Sequence, residues 1–264
     1  ILKDGNMSLF DDVDVSKLPT KIEMNVLLNA TIEIRFNPDI YAEMIVWPLY
    51  EKIKNDYEKP QMFPVAQIPR EIRKQNPNPN FKSVLLYAIS GKDNNISIGC
   101  GDGILNITLL NFSYDTWDKL FEQFNSIYEM LDDTIQGITR VGVRYVNVID
   151  RNYVSLDNFT FDFAVRDGNL LNMPLMSIFE LDIDEKKAKV SISNKAKYQY
   201  LENGEHKTKE DAMVIDIDVI AEKNIRNDEL KQATKDCHTT LKKIFFGLCS
   251  EKFINEDLRP IREA

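Results

Sequence analysis

One arrangement occurs twice along this 264-residue chain: alternating strands that run into a single long amphipathic helix. The helices are expected at Tyr114–Leu131 and Asp228–Phe253, preceded by runs such as Thr31-Ile-Glu-Ile-Arg-Phe36 and Val214-Ile-Asp-Ile-Asp-Val219. Side chains on a strand alternate between its two faces. Ile32, Ile34 and Phe36 therefore face a core, and Thr31, Glu33 and Arg35 face away from it. In the first helix Trp117, Leu120, Phe121, Phe124, Ile127, Tyr128 and Leu131 form one broad apolar face. In the last, Leu230, Ala233, Cys237, Leu241, Ile244 and Leu248 recur at steps of three and four residues. An apolar stripe on a helix and an apolar face on a sheet each need the other for burial. The expectation is an α+β protein of two antiparallel sheet-plus-long-helix halves, residues 21–150 and 151–264, after an acidic, loose arm at 1–20. The repeated order of elements suggests an internal duplication.

Local signals divide each half. Asn37-Pro38-Asp39 opens a helix over Ile40–Tyr57, which Pro48 is expected to kink or interrupt. Pro60, Pro64, Pro69, Pro77 and Pro79 make Glu58–Phe81 the least regular stretch, with only Ile68–Lys74 locally regular. Long loops of this kind often carry function. Ser83–Ser90 reads as a buried strand, and Ile96–Cys100 and Ile104–Asn111 as a hairpin turning on Gly101-Asp102-Gly103. Ser113 is the expected N-cap of the following helix, and Gly137 precedes a strand over Ile138–Asp150. In the second half a meander is expected from Phe159–Val165, Leu175–Asp184, Ala188–Tyr200 and Ala212–Ala221, with turns at Asp167-Gly168 and Asn203-Gly204.

Charge and cysteine usage narrow the function classes. A net charge of −9 argues against broad affinity for nucleic acid or anionic membrane. No run approaches the ~18 apolar residues of a spanning helix. The opening Ile1-Leu-Lys-Asp-Gly5 lacks the basic-then-apolar pattern of a signal peptide. Cys100, Cys237 and Cys249 are odd in number and widely spaced, so buried thiols in a reducing cytoplasm are expected rather than a disulfide framework.

Few residues form a chemical motif. His206 and His238 are the only histidines, and His238 adjoins Cys237 on a helix, where neighbours face about 100° apart and do not converge on a metal. Gly99-Cys-Gly-Asp-Gly103 lacks the Lys-Ser/Thr and the following helix of a phosphate loop. Two sets remain. Glu180, Asp182 and Asp184 share one strand face and Asp216 and Asp218 another, so neighbouring strands would gather carboxylates suited to Mg²⁺ or Mn²⁺ and to phosphoryl chemistry. Against that, Lys187, Lys189, Lys195 and Lys197 lie on the intervening strand, which favours plain cross-strand charge pairing. Glu33, Arg35, Arg140 and Arg144 form the second set, either an Arg–carboxylate network or a site for a ligand or partner.

Leu18-Pro-Thr-Lys-Ile22, Glu33-Ile-Arg-Phe36 and Arg140-Val-Gly-Val-Arg-Tyr-Val-Asn147, with His238 ahead of Phe245 and Phe246, together resemble a sporadically distributed, uncharacterised bacterial family of about this length. The family's Pro-Leu and Glu ahead of the first strand are replaced by Val26-Leu27 and Asn29-Ala30. The resemblance implies an intracellular bacterial protein of two α+β halves, and no reaction. The functional expectation is a non-catalytic cytoplasmic binding or adaptor protein with a protein partner, in a stress, toxin–antitoxin or phage-defence setting. It needs no metal or cofactor and is compatible with a homo-oligomer. The alternatives are a Mg²⁺- or Mn²⁺-dependent phosphoesterase or nucleotide-processing enzyme working through Asp182, Asp184, Asp216 and Asp218, or an anion or nucleotide sensor.

Overall fold

A computed structural model describes residues 9–75, 84–162, 164–165, 168–170, 173–202 and 204–261. The chain is α+β. In order it forms β1 (Lys21–Ile22), β2 (Leu27–Arg35), α1 (Ala42–Ile53), β3 (Gln61–Met62), α2 (Arg70–Gln75), β4 (Tyr87–Ser90), β5 (Ile96–Gly101) and β6 (Ile104–Leu109). Then follow α3 (Trp117–Glu129), β7 (Ile138–Ile149), β8 (Ala164–Val165), β9 (Gly168–Asn169), β10 (Leu175–Ile183), β11 (Lys186–Glu202), β12 (Glu205–Ile225), α4 (Leu230–Leu248) and β13 (Pro260–Ile261). Among the described residues nine strands make one antiparallel sheet in the order β10-β11-β12-β7-β2-β6-β5-β4-β3, while β1-β13 and β8-β9 are two-stranded ribbons. The two sheet-plus-helix halves thus share a single sheet, joined where β7 of the first pairs with β12 of the second.

Register explains the core. Ile89, Ile98, Ile107, Ile32, Val143, Val219, Ala188 and Leu181 lie opposite one another across eight strands. They belong to one apolar cluster with Ile45 and Leu49 of α1, Phe124 of α3 and Leu241 of α4. All three long helices therefore cover the same sheet face, as the alternation in β2 and β12 requires. Thr116, not Ser113, caps α3: its hydroxyl accepts from the Lys119 amide, and Ser113 donates instead to the Asn95 carbonyl.

Among the described residues, the opposite face is covered only at its ends. β11 and β12 continue as a long hairpin, and register shifts around Ala196 bend it. There Tyr198 and Ala212 pack with Leu28 and Val148 in a second small cluster, flanked by Phe112 and Tyr200. The Leu201 amide fixes the bend by donating to Asn111 Oδ1 at 2.8 Å. Near the other end the Leu85 side chain crosses Gly99, where a Cβ would come within 2.7 Å of it.

Several expectations change. The arm is not loose throughout: Phe10 is buried against Gly247 of α4, because a glycine there leaves room for its ring. Pro48 neither breaks nor ends α1. Glu58–Phe81 holds β3, a 3-10 turn at Pro64–Gln67 and α2; Pro77, Pro79 and Phe81 lie outside the described residues. The strand expected over Ser83–Ser90 begins at Tyr87, and Ser83 is outside the described residues. The strand expected from Phe159 is reduced to an isolated bridge, Phe159 to Cys249, since 3-10 turns at Arg151–Tyr153 and Leu156–Asn158 take the chain under the end of α4. Helix α4 stops at Leu248, and a π-helical turn, Phe253–Leu258, follows it. Asp167 and Asn203 of the two expected turns are outside the described residues.

Candidate functional site

Apart from Asp184, both residue sets singled out in the sequence lie on the sheet face opposite the helices, left open among the described residues. One cross-strand row reads Glu180, Lys189, Asp218, Arg144, Thr31, Thr108 and Ser97. The next reads Asp182, Lys187, Ile220, Gly142, Glu33 and Asn106. Arg35 and Arg140 lie opposite each other one step further. Acidic, basic and acidic strands thus alternate through β10, β11 and β12.

The arginines hold the carboxylates. Arg144 grips Asp216 with both arms of its fork, Nε to Oδ1 at 2.8 Å and Nη2 to Oδ2 at 2.6 Å. Arg140 Nη2 lies 3.5 Å from Asp218 Oδ2, and Arg35 Nε donates to Glu33 Oε1 at 2.9 Å. Thr31 and Thr108 share a hydroxyl contact of 2.9 Å beside them. Gly142 makes the cluster possible: a Cβ there would stand 3.1 Å from Ile220 and 3.7 Å from Asp218 Oδ1, closing the gap over β7.

Electrostatics follow from this geometry. Burial raises the Asp218 carboxyl above its ordinary value, and the neighbouring guanidiniums of Arg140 and Arg144 pull it back. The Asp216 hydrogen bonds hold the Arg144 guanidinium more firmly protonated. Glu33, Asp216 and Asp218 are thereby paired in charge with Arg35, Arg140 and Arg144, most tightly at Arg144–Asp216, while the buried Arg140 Nε finds no hydrogen-bond partner among the described residues. Asp182 faces Lys187 on the outer strand pair, and Asp184 leaves the strand altogether, sitting in the β10–β11 turn at φ +48°. The four candidate acids are not gathered round one point, and among the described residues no group of three or more His, Cys, Asp or Glu is placed to hold a metal.

A second site lies on the helix face, at residues the sequence did not single out for binding. A cleft of about 700 Å³ opens between the segment Pro19–Leu27, the turn entering α3, and α4. His238 lies flat on Trp117, ring centres 3.9 Å apart and 3° from parallel, and Tyr145 packs beside it. The Tyr145 hydroxyl donates to that of Tyr114 at 3.1 Å. Burial pushes Tyr114 up to about 12 and Tyr145 well above the usual phenol range. Burial, reinforced by the charge on Lys242, pushes His238 down to about 3, so it is neutral at physiological pH. Lys242 itself is lowered by burial.

At the mouth, Asp115 is clasped by Lys119 and Lys21, which bring its carboxyl down to about 2. Glu23 pairs with Arg259. Only the place of His238 on the last helix was read from the sequence; its helix neighbour Lys242 was not singled out, and Tyr114, Trp117 and Tyr145 come from remote segments. As the spacing implied, Cys237 turns away from His238 and into the core, toward the Val141 carbonyl.

No helix among the described residues is long and apolar enough to cross a membrane. No protein-family model and no curated protein matches the chain. Among solved structures, the duplicated taurocyamine kinase from Schistosoma mansoni, bound to transition-state-analogue components, is similar at 10% sequence identity with a TM-score of 0.33; the match covers 94% of this chain but spans only 37% of the kinase chain.

Proposed function

We propose that this chain is a non-catalytic binding protein that docks a protein partner on its uncovered sheet face, in a bacterial cytoplasm. The observation that carries this reading is the combination of a self-neutralised Arg–carboxylate array with an apolar rim. Met176 and Ile178 of β10 stand on that face 62% and 53% exposed, and no strand covers the outer edge of β10 among the described residues. A preordered array of charges gives register and specificity, while exposed apolar side chains beside a free strand edge give a partner area to bury. The stress, toxin–antitoxin or phage-defence setting rests on the sporadic distribution of the family the sequence resembles.

The metal-dependent alternative asks more of the same residues. To serve as ligands, Asp216 and Asp218 must leave Arg144 and Arg140, stranding half-buried guanidiniums.

Chemical crosslinking of the tagged protein in its native cells, followed by purification, tests the reading. A partner crosslinked to β10 or to the Arg144 row, and lost in M176E/I178E, is the expected result. A self-complex through β10 would make the partner a second copy. Mn²⁺-dependent phosphoester hydrolysis by the purified protein, abolished in D216N, would refute it.

A further inference from the structure

The cleft on the helix face is independent of the docking face, and its charges do not balance in the same way. Lys21 and Lys119 are taken by Asp115, and Arg259 by Glu23. Asp118 lies at the exposed mouth. Lys242 lies inside, half-buried, with no ion pair to any described residue. A long cationic side chain normally carries its ammonium out to water. One kept partly desolvated on a cleft wall is stabilised by whatever anion enters.

A second donor stands in the same cleft. Because Tyr145 donates to Tyr114, the Tyr114 hydroxyl accepts that bond and keeps its own proton to give, and no described residue takes it. His238, held neutral on Trp117, adds no charge and gives that wall an aromatic surface. Ile22, Met24, Leu241 and Phe245 make much of the remaining lining apolar. A volume of about 700 Å³ lined by both Lys242 and Tyr114 falls within the range of small-molecule sites.

The geometry points to a binding site for a small amphiphile with one anionic head group, its carboxylate or sulfonate taken by Lys242 and Tyr114 and its apolar body laid along Trp117, Leu241 and Phe245. A neutral molecule of the same shape loses the head-group bonds. A dianion brings a second charge with no cation left to meet it.

Titration with the fluorescent aromatic sulfonate 8-anilinonaphthalene-1-sulfonate tests the site. The W47F background leaves Trp117 as the only tryptophan, so that energy transfer reports on the cleft. Saturable one-to-one binding to the folded protein is expected, with K242Q weakening it about tenfold or more, as for loss of a hydrogen bond to a charged group. The uncharged analogue N-phenyl-1-naphthylamine should bind more weakly and be indifferent to K242Q. Competition by dodecanoate or by 2-naphthoate then separates an acyl from an aromatic body; displacement by either supports the proposal, and displacement by neither overturns it. I178E, on the other face, should leave binding unchanged, so failure of the docking reading does not mimic failure here. Absence of saturable binding, or equal affinity in a folded K242Q variant, overturns the proposal.

Discussion

The Arg144–Asp216 pair decides between a docking face and a latent metal site, and a double-mutant cycle measures it directly. Its two hydrogen bonds are short and bidentate, and hydrogen bonds to charged groups contribute ~1.5–3 kcal/mol when shielded. Solvent reduces that figure, because the Arg144 side chain is 53% exposed and that of Asp216 25%. The expected coupling is about 1 kcal/mol. It would be measured by urea denaturation of wild type, R144M, D216N and R144M/D216N. Lys197–Glu210 has a similar contact of 2.8 Å, but both side chains are more than half exposed, so its cycle should give about 0.3 kcal/mol. If the two cycles gave the same small value, Asp216 would be a free carboxylate. The claim that Arg144 and Asp216 satisfy each other within the protein would then fail.

Three other outcomes are expected. His238 titrates near 6.5 when unfolded and near 3 when folded, so between those values the unfolded state binds the extra proton. Stability should therefore fall as pH drops below about 6.5, by up to ~1.4 kcal/mol per pH unit, and the extra slope should be absent from H238Q. Phe10→Ala should cost about 3 kcal/mol in denaturant and speed proteolysis of the arm, since its buried ring fills the space over Gly247. Cys100, Cys237 and Cys249 are all buried, and burial raises each thiol above its ordinary value. Ellman's reagent should thus label them only as fast as the protein unfolds; rapid labelling of any one would contradict the core described above.

Legibility in the sequence followed the range of the interaction. Strand alternation in β2, β7 and β12 and the helical stripe of α4 depend on neighbours a few residues apart, and all four elements form, although β12 extends to Glu205–Ile225 and α4 stops at Leu248. The pairing of Lys187 and Lys189 with acidic strands on either side was also readable, because a meander dictates it. That Arg140 and Arg144 meet Asp218 and Asp216 was not, since it depends on β7 inserting between β2 and β12. The cleft was less legible still. Trp117 under His238 unites two helices, and the Tyr114–Tyr145 bond unites a turn with a strand. Asp184 misled because alternation continues in the sequence past the point where the chain turns.

The position of β2 has a consequence for how the chain is made. This strand, rich in Leu and Ile, lies in the interior of the sheet, yet both its neighbours come much later: Ala30 pairs with Leu109, and Arg35 with Arg140. Translation at about 5–20 residues per second leaves one edge bare for roughly 4–15 s before β6 emerges, and the other for roughly 5–20 s before β7 does. Pairings this far apart along the chain also close slowly. The nascent first half therefore carries an unsatisfied apolar strand through most of its synthesis, and expression yield should respond to chaperone supply and to growth temperature more than the stability of the finished protein would suggest.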